Sequence, residues 1–220
     1  MRFYTNVQLI GNQFLVRGVE NGRRYEHRDE FFPTLFVKSK KNLKTKYKTL
    51  NGKSVEEINP GSVRDCRDFY KKYEDVEGFE IYGNDRYIYQ YISEKYPEDE
   101  IKFDISKIKL VTLDIEVASE QGFPDVESCS EEILAITIQD YTTKQIVTWG
   151  SKPFENNRKD VTYHHCPTEH ALLSSFINYW MQDVPDVITG WNIQLYDIPY
   201  ICKRLRISTQ RVGKSLLSII

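Results

Sequence analysis

The chain has 220 residues, of which 40% are hydrophobic and 28% charged, a globular composition long enough for one large domain or two small ones. A formal net charge of −2 and a pI of about 6.1 exclude a histone-like protein that holds duplex DNA over its whole surface, but they leave room for a local groove. The four cysteines (Cys66, Cys129, Cys166, Cys202) include no C-x-x-C pair, and no apolar run reads as a signal peptide or approaches spanning length, so a soluble protein of a reducing compartment, with no zinc and no disulfide framework, is expected.

The 15 tyrosines and 11 phenylalanines stand out. Aromatic residues serve first as core and sheet residues, and secondly as surfaces on which unpaired bases stack. In chain order, Phe3 to Ile10 and Phe14 to Val19 read as strands joined by Gly11-Asn12. Arg24 to Arg28 follows the hairpin signal Asn21-Gly22, and Phe31 to Val37 gives one more apolar strand. The lysines 38, 40, 41, 44, 46 and 48 then form a loop that is either solvated surface or a nucleic-acid contact. Ser62 can cap a helix whose apolar positions Val63, Cys66, Tyr70 and Tyr73 recur at helical spacing. A second helix is expected around Tyr87, Ile88, Tyr91 and Ile92, closed by Pro97.

A boundary is expected between Pro97 and Lys107, where Pro97-Glu98-Asp99-Glu100 is a polar break. Beyond it the pattern predicts strands at Ile108 to Val117, Ile133 to Gln139 and Gln145 to Trp149. A helix over Thr168 to Gln182, a strand at Asp186 to Thr189 and a helix over Asp197 to Arg206 complete an α/β half. His164, His165 and His170 read as structural residues near a loop and a helix start.

Two stretches carry chemistry. In Leu110-Val111-Thr112-Leu113-Asp114-Ile115-Glu116-Val117, alternate side chains share a face, so Asp114 and Glu116 point the same way with Cα atoms about 6.6 Å apart. Two carboxylates so placed can reach one divalent cation, or can simply face water. A strand apolar behind and doubly acidic in front is costly unless the acids are solvated or bind something positive. In Thr189-Gly190-Trp191-Asn192 through Tyr196-Asp197-Ile198-Pro199-Tyr200, a short strand ends at Gly190 and Asp197 sits where a helix N-cap belongs. Taken singly, Asn192 could only make a turn and Asp197 only a cap.

Together the two stretches resemble the exonuclease domain of family B DNA polymerases of the T-even-like phage kind. Thr112 to Val117, with Gly122-Phe123-Pro124 behind it, is similar to the family's first exonuclease motif, and Asn192 through Asp197 to its second, with Tyr196 in place of the usual Phe. The resemblance implies an α+β N-terminal domain over residues 1–107 followed by an incomplete α/β ribonuclease H-like exonuclease domain over 108–220. It implies 3′→5′ proofreading by two-metal phosphodiester hydrolysis with Mg2+ or Mn2+. Asp114 would bridge the two metals, Glu116 would hold the one that activates the attacking water, and Asp197 would serve the metal near the scissile phosphate, partly through water. Asn192 would orient the 3′ end, and Phe123 would lie against the unpaired terminal base.

The same resemblance implies a phage protein in the host cytoplasm, with DNA as its partner through a single-stranded 3′ end and a primer-template. RNA through the N-terminal domain is a further expected partner, a sliding clamp only through C-terminal parts missing here, and a membrane not at all. The family's third motif, a Tyr followed four residues later by an Asp, does not occur after Asp197. The expectation is therefore a front piece of a DNA-directed DNA polymerase with little or no exonuclease activity by itself. Two alternatives stay open: a nucleic-acid-binding module without catalysis, which salt-dependent, metal-independent RNA affinity would favour, and a free-standing exonuclease, which the missing third motif opposes.

Overall fold

The computed structural model describes residues 2–39, 45–97, 101–120 and 122–212, with side chains to 208. The chain divides into two compact units, residues 1–107 and 108–220. Together they are a mixed α/β structure with three sheets and four α-helices among the described residues.

In the first unit, β1 (Arg2–Ile10), β2 (Gln13–Glu20) and β3 (Arg23–Glu30) form an antiparallel meander. The β2–β3 turn has positive φ at both Asn21 (52°) and Gly22 (76°), the backbone that a two-residue hairpin requires and that Asn-Gly tolerates. A second sheet combines β4 (Leu35–Lys38), β5 (Tyr47–Lys48) and β6 (Ser54–Ile58) with β7 (Ile81–Tyr82), in the order β5-β6-β4-β7. The strand expected from Phe31 begins only at Leu35. Pro33 has no N–H to give a ladder, and both backbone groups of Thr34 are taken by the Gln90 amide, at 3.0 and 3.1 Å. Of the lysine loop, Lys40, Lys41 and Lys44 lie outside the described residues, while Lys38, Lys46 and Lys48 are exposed.

Helix α1 (Val63–Tyr73) starts at Ser62 with a full capping box, the Asp65 side chain returning a bond to the Ser62 N–H. Helix α2 (Tyr87–Lys95) buries Tyr87 and Tyr91. These join Phe14, Val16, Phe31, Leu35, Val63 and Cys66 in one core, where the Tyr91 and Phe14 rings stack at 4.7 Å.

In the second unit, β8 (Leu110–Val117), β9 (Ile133–Asp140) and β10 (Ile146–Gly150) run antiparallel. Strand β11 (Val161–His165) adds parallel to β10. After α3 (Glu169–Gln182) the chain returns as β12 (Val187–Thr189), parallel to β8, and continues into α4 (Asp197–Val212). The sheet order is β11-β10-β9-β8-β12. The inward residues Val111, Leu113 and Ile115 of β8 pack with Ile136, Ile138 and Trp149, with Leu172, Leu173 and Phe176 of α3, and with Tyr200, Ile201 and Leu205 of α4. His164 and His165, expected near a loop, stand on β11, with the His164 ring stacked 5.6 Å from Trp149. His170 lies in α3, its Nδ1 2.8 Å from the Ser208 hydroxyl.

Candidate active site

The alternation in β8 is complete: Val111, Leu113 and Ile115 are buried, while Thr112, Asp114 and Glu116 are exposed. Across the ladder Asp114 stands opposite Thr137, and Glu116 opposite Ala135. Directly opposed residues share a face, so both acids look out over small side chains that leave the space in front of them open. Thr137 is fixed in turn by a 3.0 Å hydroxyl contact with Thr148 of β10.

On its other edge β8 has a strand partner for only three residues. Val187, Ile188 and Thr189 pair with Leu110, Val111 and Thr112, and there the ladder stops. Asp197 fills the position that a continuing strand would take. Its Oδ1 accepts the Ile115 N–H at 3.2 Å, and the residue is only 4% exposed. The carboxylate, which at a helix start also reads as a cap, thus reaches the strand that carries the other two. The backbone amide that would otherwise be an unsatisfied donor gains an acceptor, and Asp197 is drawn to the edge beside Asp114.

The turn that delivers Asp197 is built locally. A Cβ on Gly190 would lie 2.5 Å from the Leu113 carbonyl oxygen, so only glycine lets the chain leave β12 this close to β8. Asn192 follows with φ of 55°, a left-handed conformation that Asn tolerates better than most residues. Its carbonyl accepts the N–H groups of Leu195 (3.0 Å) and Tyr196 (2.9 Å). Asn192 therefore closes the turn before α4 as well as standing in the motif.

Burial pushes the Asp197 carboxyl above the ordinary carboxylate range, and the negative charge of Asp114 adds to that push, while the backbone amides of Asp197 and Ile115 oppose it. A buried carboxyl raised in this way is relieved by a cation. The donors are all carboxylate oxygens, the kind that Mg2+ or Mn2+ accepts. Their chemistry fits such an ion. Among the described residues, no three Asp, Glu, His or Cys side chains close into a ready metal cage, so these residues supply donors rather than a finished site.

Phe123 is 85% exposed, its ring 5.4 Å from Tyr196. Tyr196 lies in turn 5.5 Å from the buried ring of Tyr200. Trp191 and Leu195 are also largely exposed, so large apolar side chains flank both carboxylate-bearing segments. Sequence reasoning singled out neither, although an aromatic beside Asn192 was visible. It also missed the steric need for Gly190 and the bond from Asp197 to Ile115, because neither contact has a periodic signal. A separate cavity of about 150 Å³, bounded by Lys109, Val111, Ile138, Val147 and Trp180 among others, lies towards the Leu110 end of β8. It is not lined by any of the three acids.

The family model described as "DNA polymerase family B, exonuclease domain" matches residues 66–218. The DNA-directed DNA polymerase of Escherichia phage RB69 is 30% identical over 93% of this chain and 25% of its own length, and that of Enterobacteria phage T4 is 31% identical over the same shares. The DNA polymerase catalytic subunit of Elephantid herpesvirus 1 is 29% identical over 48% of this chain and 11% of its own length. The chain spans about a quarter of the length of the two phage relatives. With the model matching most of the chain, across both carboxylate segments, this protein belongs to the family B DNA polymerases, in the part described by their exonuclease domain.

Proposed function

We propose that this chain is a portion of a replicative phage DNA polymerase, and that it contributes the Asp114, Glu116 and Asp197 side of a 3′→5′ proofreading exonuclease site. Residues 1–107 are its N-terminal domain and residues 108–220 the first part of a ribonuclease H-like exonuclease domain. The observation that carries the reading is the Asp197–Ile115 bond, which places a helix-borne acid on the edge of the strand bearing two more. The mixed sheet, with an antiparallel meander and a parallel fifth strand, β12, beside the acidic one, supports the ribonuclease H-like assignment.

Exonuclease domains of this family use divalent metals. Here Asp114, Glu116 and Asp197 would hold two ions, which supply a deprotonated water as nucleophile and neutralise charge on the phosphate and the leaving 3′ oxygen. Asp114 and Glu116, exposed on one face of β8, would hold the ion on the nucleophile side, with Asp114 also serving the second ion. Asp197, held at fixed height by the Ile115 amide, would serve the side of the scissile phosphate. Asn192 orients the 3′ end from the turn before α4. Phe123 lies against the terminal unpaired base, where aromatic stacking is worth roughly 1–3 kcal/mol.

The partner is DNA, as a single-stranded 3′ end. The test is binding of a 5′-labelled single-stranded oligonucleotide with a free 3′ hydroxyl, with and without Mg2+. Binding tightened by Mg2+ in the native chain, and no longer tightened in Asp114→Ala, is expected. Equal metal-independent binding by both proteins would sink the reading.

A second reading, nucleic-acid binding without catalysis, is favoured by one feature of the first unit. Phe36, Tyr47 and Tyr82 line an open cavity of about 470 Å³ together with Lys48, and the Lys46 ammonium lies 5.4 Å from the Tyr47 ring centre. Rings and cations in one groove suit unpaired bases and their phosphates. RNA affinity that survives removal of Mg2+, falls steeply with salt and is lost in Tyr47→Ala would support this function for the first unit.

A further inference from the structure

We infer that Arg204 is a positioning residue of the carboxylate site, fixing the segment that carries Phe123 against the helix that carries Asp197. The site positioned is the one proposed above, and the inference rests on that reading only for what is being positioned.

The chain between β8 and β9, residues 118–132, has no regular secondary structure among its described residues. A segment of that length would sample many conformations unless tied down, and Phe123 lies within it. The ties come from one face of α4. Asp197, Tyr200, Lys203 and Arg204 stand at i, i+3, i+6 and i+7, within a single arc of the helix. Asp197 reaches Ile115 of β8. Tyr200 donates its hydroxyl to the Glu131 carbonyl at 2.8 Å and accepts the Cys129 thiol on its own carbonyl. Lys203 donates to the carbonyls of Val126 (3.4 Å) and Glu127.

Arg204 makes the widest set. Its Nη1 donates to the Cys129 carbonyl at 3.0 Å and, at 3.5 Å, to that of Ser130. Its Nε and Nη2 grip the two carboxylate oxygens of Glu169 at the start of α3. Glu169 then accepts the Ile133 N–H at 2.9 Å, where β9 begins. The Arg204 and Glu169 side chains are only 3% and 9% exposed.

A buried ion pair is weak evidence for stability, because apolar residues of similar volume often serve as well. What an apolar pair cannot do is hold carbonyls and an amide in fixed directions, and a planar guanidinium fork does so. The bonds of Arg204 and Glu169 fall on Cys129 and Ser130, in the returning half of the segment that carries Phe123, and on Ile133, where β9 begins. One helix therefore sets both the acid at its first residue and the path of the loop bearing the aromatic ring.

The test compares the full chain with Arg204→Met, Arg204→Lys and Glu169→Gln, and with Arg158→Met as a surface control, each at a temperature where it is fully folded. Three quantities are read: amide hydrogen exchange, the nuclear Overhauser contact between the Phe123 and Tyr196 rings, and Mg2+-dependent affinity for a 5′-labelled oligo(dT). We expect exchange across residues 125–132 and at the Ile133 amide to rise at least tenfold, with β8, the rest of β9 and β10 unchanged, and the ring contact to be lost. Affinity should fall about tenfold, with Arg204→Lys recovering part of each effect.

Unchanged exchange in the loop overturns the inference. So does exchange that rises equally through the sheet, which would mark a purely structural pair, and so does a loosened loop that keeps the ring contact. If Arg204→Met does not fold, Arg204→Lys and Glu169→Gln decide by the same readings. If the native chain binds no oligonucleotide, the proposed function falls, while exchange and the ring contact still decide the role of Arg204.

Discussion

The two units solve the problem of a core with different chemistry. The first buries phenols: Tyr87, Tyr91 and Tyr96 all lie in its core, with the Tyr91 hydroxyl on Asp29 at 3.0 Å and the Tyr96 hydroxyl 2.6 Å from that of Tyr25. The second buries mainly branched aliphatics from β8, β9 and α3 around Trp149 and Tyr200. In the first unit much of the tyrosine is thus accounted for by packing, and tyrosine content is no sign of nucleic-acid contact there. In the second, an aliphatic core fully explains one face of β8 and leaves the acidic face unexplained by folding. That contrast is why Asp114 and Glu116 point to chemistry.

The contrast breaks most sharply in the aliphatic core, where the greatest loss of stability is expected. Leu172 is fully buried there, so Leu172→Ala should cost roughly 2–5 kcal/mol in urea unfolding; a loss below about 1 kcal/mol would mean that the side chains of this core are not closely interlocked. Gly190→Val should cost about 1–3 kcal/mol, because its Cβ meets backbone rather than a yielding side chain. It should also weaken Mg2+-dependent oligonucleotide binding, by moving the turn that sets Asp197.

The first core should instead be exposed by alkali. Burial pushes the Tyr87 phenol up to about 12 from an ordinary 10.0, and the Cys66 thiol up to about 11 from 9.0. Burial raises Tyr91 and Tyr96 as well, reinforced by their bonds to Asp29 and Tyr25. In each case the unfolded chain loses its proton before the folded one does. The contribution is whole below the ordinary value and is lost as pH climbs through the raised one, on the order of 1–2 kcal/mol per group. Stability followed by circular dichroism should therefore fall between about pH 9 and pH 12, and Tyr87→Phe should flatten that fall. An unchanged slope in Tyr87→Phe would show that its phenol does not titrate from a buried position.

How much of this could be read from the sequence differed by kind of signal. The α1 cap at Ser62, the turn at Asn21-Gly22 and strand β8 were legible, because each is written in neighbouring residues or in a period of two. Strand β11 was not: Val161-Thr162-Tyr163-His164-His165 has no apolar run, and only its parallel pairing with β10 makes it a strand. Strand β4 was read too long, since nothing local announced that Gln90, far along the chain, would take both backbone groups of Thr34. At the site, the shared face of Asp114 and Glu116 followed from alternation alone. The turning of Asp197 from its own helix to Ile115 did not. A carboxylate at a helix start reads as a cap until one sees that β12 stops at Thr189 and leaves the neighbouring edge unpaired.

The smallest effects on folding are expected where the effects on function are largest, and here the comparison is sharpest. Asp114 and Phe123 are both exposed, so Asp114→Ala and Phe123→Ala should each change stability by no more than about 0.5 kcal/mol. Their effects on binding should differ in kind. Asp114→Ala removes a carboxylate and should abolish the Mg2+ dependence of oligonucleotide affinity while leaving any metal-free affinity alone. Phe123→Ala removes a stacking surface and should lower affinity by roughly 1–3 kcal/mol, with the Mg2+ dependence intact. That loss should be smaller for an oligonucleotide that ends in an abasic 3′ residue, because there is then no terminal base to stack. An equal loss for normal and abasic ends would show that Phe123 shapes the loop rather than meets the base, and its ring would then serve packing, as the buried tyrosines of the first core do.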